Sequence, residues 1–179
     1  TGLQRTYPNA INFEGVHGLE TMKWLGREHD QITYDVTIPF IRAVAGPMDY
    51  TPGAMRNAPR HNYEPNYSRP MSQGTRCHQL AMYVVYNQPL AMLCDTPTAY
   101  EKEPEYTQFL AQIPTEWLTK SCFEGEIGEY VVMYTRYKDS KAQYIAGLNG
   151  NTPRSVEVEI PQIIDYCNDK IEIFIDGPN

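Results

Sequence analysis

The sequence contains no apolar run approaching the roughly 18 to 20 residues that cross a bilayer, no block of lysines and arginines, and no cysteine pair at zinc-knuckle spacing. The first absence excludes a membrane-spanning helix within it. The second removes the attraction that draws proteins onto phosphate backbones, and 15 Lys and Arg against 22 Asp and Glu leave a net charge of -7. Neither a nucleic-acid partner nor a membrane partner is expected. Cys77, Cys94, Cys122 and Cys167 are too scattered for a C-x-x-C metal site and too few for a disulfide framework, so they read as structural thiols. The first residues, TGLQRTYPN, have neither the charged nor the apolar region of a secretory leader.

What is present is a globular composition, 41% hydrophobic over 179 residues, with 14 Tyr, 14 Pro and 2 Trp. Residues 1 to 37 read as loop with a short helix around Leu19 to Leu25. The apolar run Val36 to Ala45 reads as a buried strand entering a turn at Gly46-Pro47. The prolines between Pro47 and Pro70 remove donors and restrict their predecessors, which predicts one long loop carrying Asp49, Tyr50, Arg56, His61, Tyr63, Tyr67 and Arg69. Ser72 or Thr75 can cap a largely buried helix through Cys77 to Leu93, broken near Pro89, and Pro104 suits the first turn of a short helix ending near Ile113. After Trp117 the pattern changes to Val-, Ile- and Tyr-rich segments, Gly128 to Tyr137, Gln143 to Asn149, Ser155 to Ile160 and Lys170 to Ile175, separated by turn clusters. The fold class predicted is α/β followed by an antiparallel, sandwich-like β part, divided into residues 1–116 and 117–179.

One stretch poses a chemical question. NFEGVHGLE holds Glu14 and Glu20 among glycines. On a helix the two would point about 240° apart. In a loop freed by Gly15 and Gly18 they can converge, and carboxylates held close either share a proton or hold a cation. Oxygen ligands at flexible spacing suit calcium better than zinc. Acidic pairs at this spacing also arise by chance in a chain this acidic.

NFEGVHGLE, together with TGLQRTYPN, VTIPFIRAVAGPMDYTPGAM, NYSRPMSQGTRCHQLAMYVVYNQPLAMLCD, YEKEPEY and IPTEW in this order, resembles the C-terminal part of glycoside hydrolase family 97. These are α-glucosidases and α-galactosidases whose catalytic (β/α)8 barrel precedes a C-terminal β domain. The resemblance covers nearly the whole chain. It implies that residues 1–116 end the barrel, with Val36 to Gly46 as its last strand and Cys77 to Leu93 as its last helix, and that residues 117–179 are a truncated β domain. It assigns Glu20 as general acid and Glu14 as a calcium ligand, with Glu20 also in the calcium shell, and makes His17, Asp49, Tyr50 and Arg56 substrate-binding candidates. An α-linked oligosaccharide is the implied partner and calcium the implied cofactor. NFEGVHGLE is closer to the retaining than to the inverting members. The second catalytic carboxylate falls outside the sequence, so the chain by itself is expected to be inactive, its exposed barrel edges would favour self-association, and a periplasmic location is implied by the resemblance alone.

A second reading, from a different class, is a non-catalytic carbohydrate-binding or interaction module that uses Tyr130, Tyr134, Tyr137 and Tyr144 as stacking platforms.

Overall fold

A computed structural model describes residues 3–138, 142–159 and 170–177. In chain order its elements are α1 (Leu3–Thr6), a 3-10 turn (Leu19–Lys23), α2 (Gln31–Ile41), β1 (Asn57–Ala58), β2 (Ser72–Gln73), α3 (Arg76–Val85), α4 (Pro97–Glu101), α5 (Pro104–Leu110), β3 (Trp117–Glu126), β4 (Tyr130–Tyr137) and β5 (Gln143–Asn149).

Helix α2 starts where Asp30 accepts the Thr33 N–H at 3.0 Å, satisfying one of the donors a helix start leaves open. Its buried residues, Gln31, Ile32, Asp35, Val36 and Ile38, recur at helical spacing, so one face packs inward. Pro39 lies inside it and cannot donate to the Asp35 carbonyl. The Tyr86 hydroxyl donates to that carbonyl at 2.9 Å instead, which is how the helix passes through a proline. The run Val36 to Gly46, expected as the last barrel strand, is therefore corrected: it is the second half of α2 followed by a 3-10 turn at Ala43–Ala45. The extended segment lies just beyond it, at Met48, which forms a parallel bridge with Phe13. Phe13, α2 and Met48 thus make a β-α-β passage, the repeating unit of an α/β fold.

Thr75 caps α3 by accepting the His78 N–H at 3.1 Å. The helix stops at Val85, with Tyr86 already extended, well short of the expected Leu93. Pro104 begins α5 as its sequence position suggests. From Trp117 the chain forms an antiparallel meander, β3-β4-β5, and β5 occupies the span expected of it. β3 was not foreseen. Residues 155–159 and Lys170 to Ile175, expected as strands, carry none, and Ile160 lies outside the described residues.

One apolar cluster joins the halves. Val36 and Ile38 of α2, Met82 and Val85 of α3, and Met48, Tyr50 and Tyr86 pack with Val131 of β4 and Leu148 of β5. The boundary at 116/117 divides architecture rather than core. A polar node sits within it. Asp35, fully buried, accepts the Tyr50 hydroxyl at 2.8 Å and lies 3.2 Å from His78 Nε2. Burial pushes its carboxyl upward, against the opposing pull of His78.

Lys120 of β3 spans the same junction, its Nζ donating to the Tyr86 carbonyl at 2.5 Å, just past the end of α3. Burial pushes this amine down to about 7. Below that pH the native and unfolded chains both hold the proton; above it, up to the ordinary lysine value near 10.4, only the unfolded chain does, so the contribution to stability rises with pH. Urea denaturation should find the native state about 1 kcal/mol more stable at pH 8.5 than at pH 7 relative to Lys120→Met. Taking this difference removes the opposite drift from Cys77 and Cys94, whose thiols burial pushes up to about 11 and about 12. A pH-independent difference between the two proteins would refute it.

Candidate functional site

The Phe13 and Met48 segments run parallel, and the chain leaving their C-terminal ends builds one site, the end at which α/β folds gather functional loops. Thr51 ties the two loops together. Its hydroxyl oxygen accepts the Leu19 N–H at 3.0 Å, and its proton is donated to Glu20 Oε2 at 2.6 Å. A hydroxyl carries one proton and two lone pairs, so it can accept from the amide and donate to the carboxylate at the same time. Gly18 makes room for this. A Cβ there would lie 2.6 Å from Glu20 Oε2 and 2.9 Å from Thr51 Oγ1. Its backbone is extended, with φ -68° and ψ 172°, so space rather than backbone conformation favours glycine.

Glu20 stands on the wall of a cavity of about 250 Å³. Thr51, Lys23, Asp95, Leu19 and Met71 share that wall, giving two carboxylates, an amine and a hydroxyl over an apolar floor. Asp95 is well occupied: Oδ2 accepts the Met55 N–H at 3.0 Å, Oδ1 accepts the Thr96 N–H at 2.8 Å, and Arg56 lies 3.7 Å away. Cys94, also on the wall, is kept as a neutral thiol by burial and by the neighbouring Asp95 charge.

Of the residues singled out from sequence, Glu20 lines the cavity and Arg56 reaches it through Asp95. Asp49 donates its N–H to the Phe13 carbonyl at 2.9 Å and is half-buried beside the Glu14 loop. Tyr50 is fully buried with its hydroxyl on Asp35, so it supports the loop from beneath. His17 is exposed, its N–H donates to the Tyr34 hydroxyl at 2.6 Å, and its ring sits 6.4 Å from that of His29. The Glu14 side chain is exposed, while its carbonyl receives Arg42. Glu14 and His17 are not among the cavity residues. Thr51, Lys23 and Asp95 were missed. Thr51 and Asp95 come from separate loops that no spacing marks, whereas Lys23 follows Glu20 by three residues, one turn further along the same 3-10 segment.

Glu14 and Glu20 offer hard oxygen donors of the kind calcium takes. Among the described residues no group of three or more His, Cys, Asp or Glu is placed to hold a metal ion. The donor type is one calcium takes, and Glu14 stands outside the cavity that Glu20 lines.

Three of the four tyrosines of the binding-module reading are engaged by neighbours within the chain. Tyr130 donates to Glu124 at 2.6 Å and lies under Arg154, Tyr134 is buried and donates to Gln143 at 2.7 Å, and Tyr144 donates to the Gln112 carbonyl at 3.0 Å.

No family model matches the chain. A retaining alpha-galactosidase from Bacteroides thetaiotaomicron is 53% identical over 181 residues, covering 99% of this chain and 26% of that protein. A probable retaining alpha-galactosidase from Streptomyces bingchenggensis is 28% identical, covering 99% of this chain and 25% of that protein. Among solved structures, a glycoside hydrolase family 97 enzyme from Pseudoalteromonas sp. in complex with panose superimposes with a TM-score of 0.72 at 32% identity, over 86% of this chain and 23% of that one. The same figures hold for a complex with acarbose. The chain spans about a quarter of the length of the relatives it matches.

Proposed function

We propose, for a chain whose sequence and fold match the C-terminal quarter of glycoside hydrolase family 97 enzymes, that these residues carry the acid half of an exo-acting α-glycosidase site, with Glu20 as general acid. The observation that carries this reading is Glu20 on a cavity wall at the C-terminal ends of parallel segments, one oxygen held by Thr51. Hydrolysis of a glycoside requires a carboxylic acid to protonate the departing oxygen while a second carboxylate acts from the opposite face of the sugar. Because Oε2 already accepts from Thr51, the transferable proton rides on Oε1. Asp95 does not serve as the second carboxylate: its oxygens are taken by two backbone amides and it is paired with Arg56. Its role is to hold Arg56 at the cavity rim. The second carboxylate belongs to residues outside this sequence.

An α-galactoside is the preferred substrate, with retention of configuration. The support is the 53% identity to a retaining alpha-galactosidase. Glu14 and Glu20 would contribute carboxylate oxygens to calcium, which when bound supplies positive charge beside the acid loop. The other class of reading, a binding module on the β part, is disfavoured by the occupied tyrosines.

The test is hydrolysis of 4-nitrophenyl α-galactoside and α-glucoside by the folded 179-residue chain, with calcium and with a chelator. No turnover is expected. Turnover that disappears in Glu20→Gln would mean that the second carboxylate lies inside the chain. In the longer enzyme, Gly18→Ala should change unfolding free energy by about 1 kcal/mol, because the added methyl meets two side chains, Glu20 and Thr51, rather than backbone. It should nevertheless lower kcat about 10-fold or more by pushing the acid off Thr51. Equal losses of stability and kcat would count against a positioned acid.

A further inference from the structure

Three buried side chains from α3 and α4 grip the loop that carries Thr51. Gln79 of α3 accepts the Gly53 N–H at 3.0 Å and the Ala54 N–H at 3.3 Å, both on the single atom Oε1. Tyr83, one turn further along α3, shares its hydroxyl proton between the Pro52 and Met92 carbonyls, each at 2.9 Å. Tyr100 of α4 donates to the Gly53 carbonyl at 2.7 Å. The fit is close. Gly53 has φ +98°, and a Cβ there would lie 2.5 Å from the Tyr83 hydroxyl oxygen and 2.8 Å from that of Tyr100. Such turned backbone lets consecutive N–H groups converge on one acceptor. Gln79 has a second end that packing does not account for: its Nε2 is buried and has no hydrogen-bond partner among the described residues. An unpaired buried amide costs stability, so an apolar side chain of similar length would suit the position better unless the oxygen is needed. That oxygen reaches the main chain two residues past Thr51, whose hydroxyl holds Glu20 Oε2 at 2.6 Å, and Ala54 itself lies on the wall of the Glu20 cavity. On its other side Thr51 is flanked by Tyr50, locked onto Asp35.

We propose that Gln79 is a positioning residue for the acid: its Oε1 fixes the main chain at Gly53 and Ala54, and through it the Thr51 hydroxyl that holds Glu20 Oε2. The inference rests on Glu20 as the acid and on Thr51 as its holder. Without Oε1 two adjacent buried donors lose their acceptor, and the loop turns to find another. Proton transfer depends steeply on where the carboxyl stands, so a shift at Thr51 reaches the chemistry although Gln79 is fully buried and touches no sugar.

The experiment compares methyl α-galactoside, whose aglycone needs a proton to depart, with 2,4-dinitrophenyl α-galactoside, whose aglycone needs little, in the glycosidase carrying this chain. Gln79→Met keeps the side-chain length and removes the acceptor. It should lower kcat/KM for the methyl glycoside about 10-fold and that for the dinitrophenyl glycoside less than about 2-fold, so their ratio falls. Gln79→Glu, which keeps an oxygen at the same place, should restore the ratio even though a buried carboxyl makes the folded state less stable. In a Thr51→Val background, adding Gln79→Met should lower the ratio no further, because the path through Thr51 is already cut. Equal losses on the two substrates, or additive losses in the double variant, would overturn the positioning role. Should Gln79→Met fail to fold, Tyr100→Phe releases the same loop from its carbonyl side: the ratio falls there too, or the proposal is overturned. Glu20→Gln tests the reading beneath it separately, since a loss confined to the methyl glycoside upholds the acid and an equal loss on both removes it.

Discussion

Glu20→Gln should lower kcat on unactivated α-galactosides by about 10²- to 10⁴-fold, the range that a positioned general acid supplies. The side chain keeps its size and can still accept from Thr51 through its amide oxygen, so the fold and the Leu19 amide contact remain. What it loses is the proton. The diagnostic is dependence on the leaving group: a 2,4-dinitrophenyl galactoside departs with little protonation, so its hydrolysis should suffer far less than that of the methyl glycoside. Equal losses on the two substrates would mean that Glu20 acts by binding or charge alone. The same series in Thr51→Val should show a milder loss with the same dependence, and Thr51→Ser should restore it, because only the hydroxyl is needed to hold Oε2.

Asp35→Ala should destabilise the chain by about 3–5 kcal/mol, the cost of removing one partner from a buried charged network. Asp35 is 0% exposed and serves three neighbours: its carboxylate takes Tyr50 and His78, and its carbonyl takes Tyr86. The truncation leaves the Tyr50 hydroxyl and the His78 ring without their partner and opens space at the contact of α2 and α3. Urea denaturation measures it, and a loss under about 1 kcal/mol would show that the node is replaceable by water or repacking. Asp35→Asn should cost less, since its amide oxygen can still accept from Tyr50. The node also carries a positional consequence, because Tyr50 immediately precedes Thr51, so a shift at Asp35 moves the residue that holds the acid.

That node explains why part of the fold was hidden in the sequence. Helix α2 buries Gln31 and Asp35 on its inner face, so its stripe is only partly apolar, and the contiguous run around Val36 to Ala45 imitates a strand. Pro39 deepened the disguise, since its compensation comes from Tyr86, which no local pattern connects to it. β3 was hidden for the converse reason: most of its residues are exposed and it has two register shifts, so it lacks clean alternation. Local chemistry was legible. The Thr75 cap, Pro104 at a helix start and the β5 bounds depend on neighbours in the chain. In the site the same division holds. Glu20 could be named through a motif, whereas Thr51 and Asp95 become its neighbours only after folding.

The acid loop is held almost entirely by its main chain. Arg42 donates to the carbonyls of Phe13 and Glu14, the Asp49 N–H reaches the Phe13 carbonyl, the His17 N–H reaches Tyr34, and the Leu19 N–H reaches Thr51. None of these bonds reads a side chain of the loop itself. The exposed residues 14 and 17 are thereby released from anchoring duty, whereas Val16 packs against the core cluster, and a library randomised at 14 and 17 should retain its backbone trace in most members while the chemistry facing the ligand varies. The segment is a replaceable insert in a fixed frame, a natural starting point for directed evolution of sugar preference.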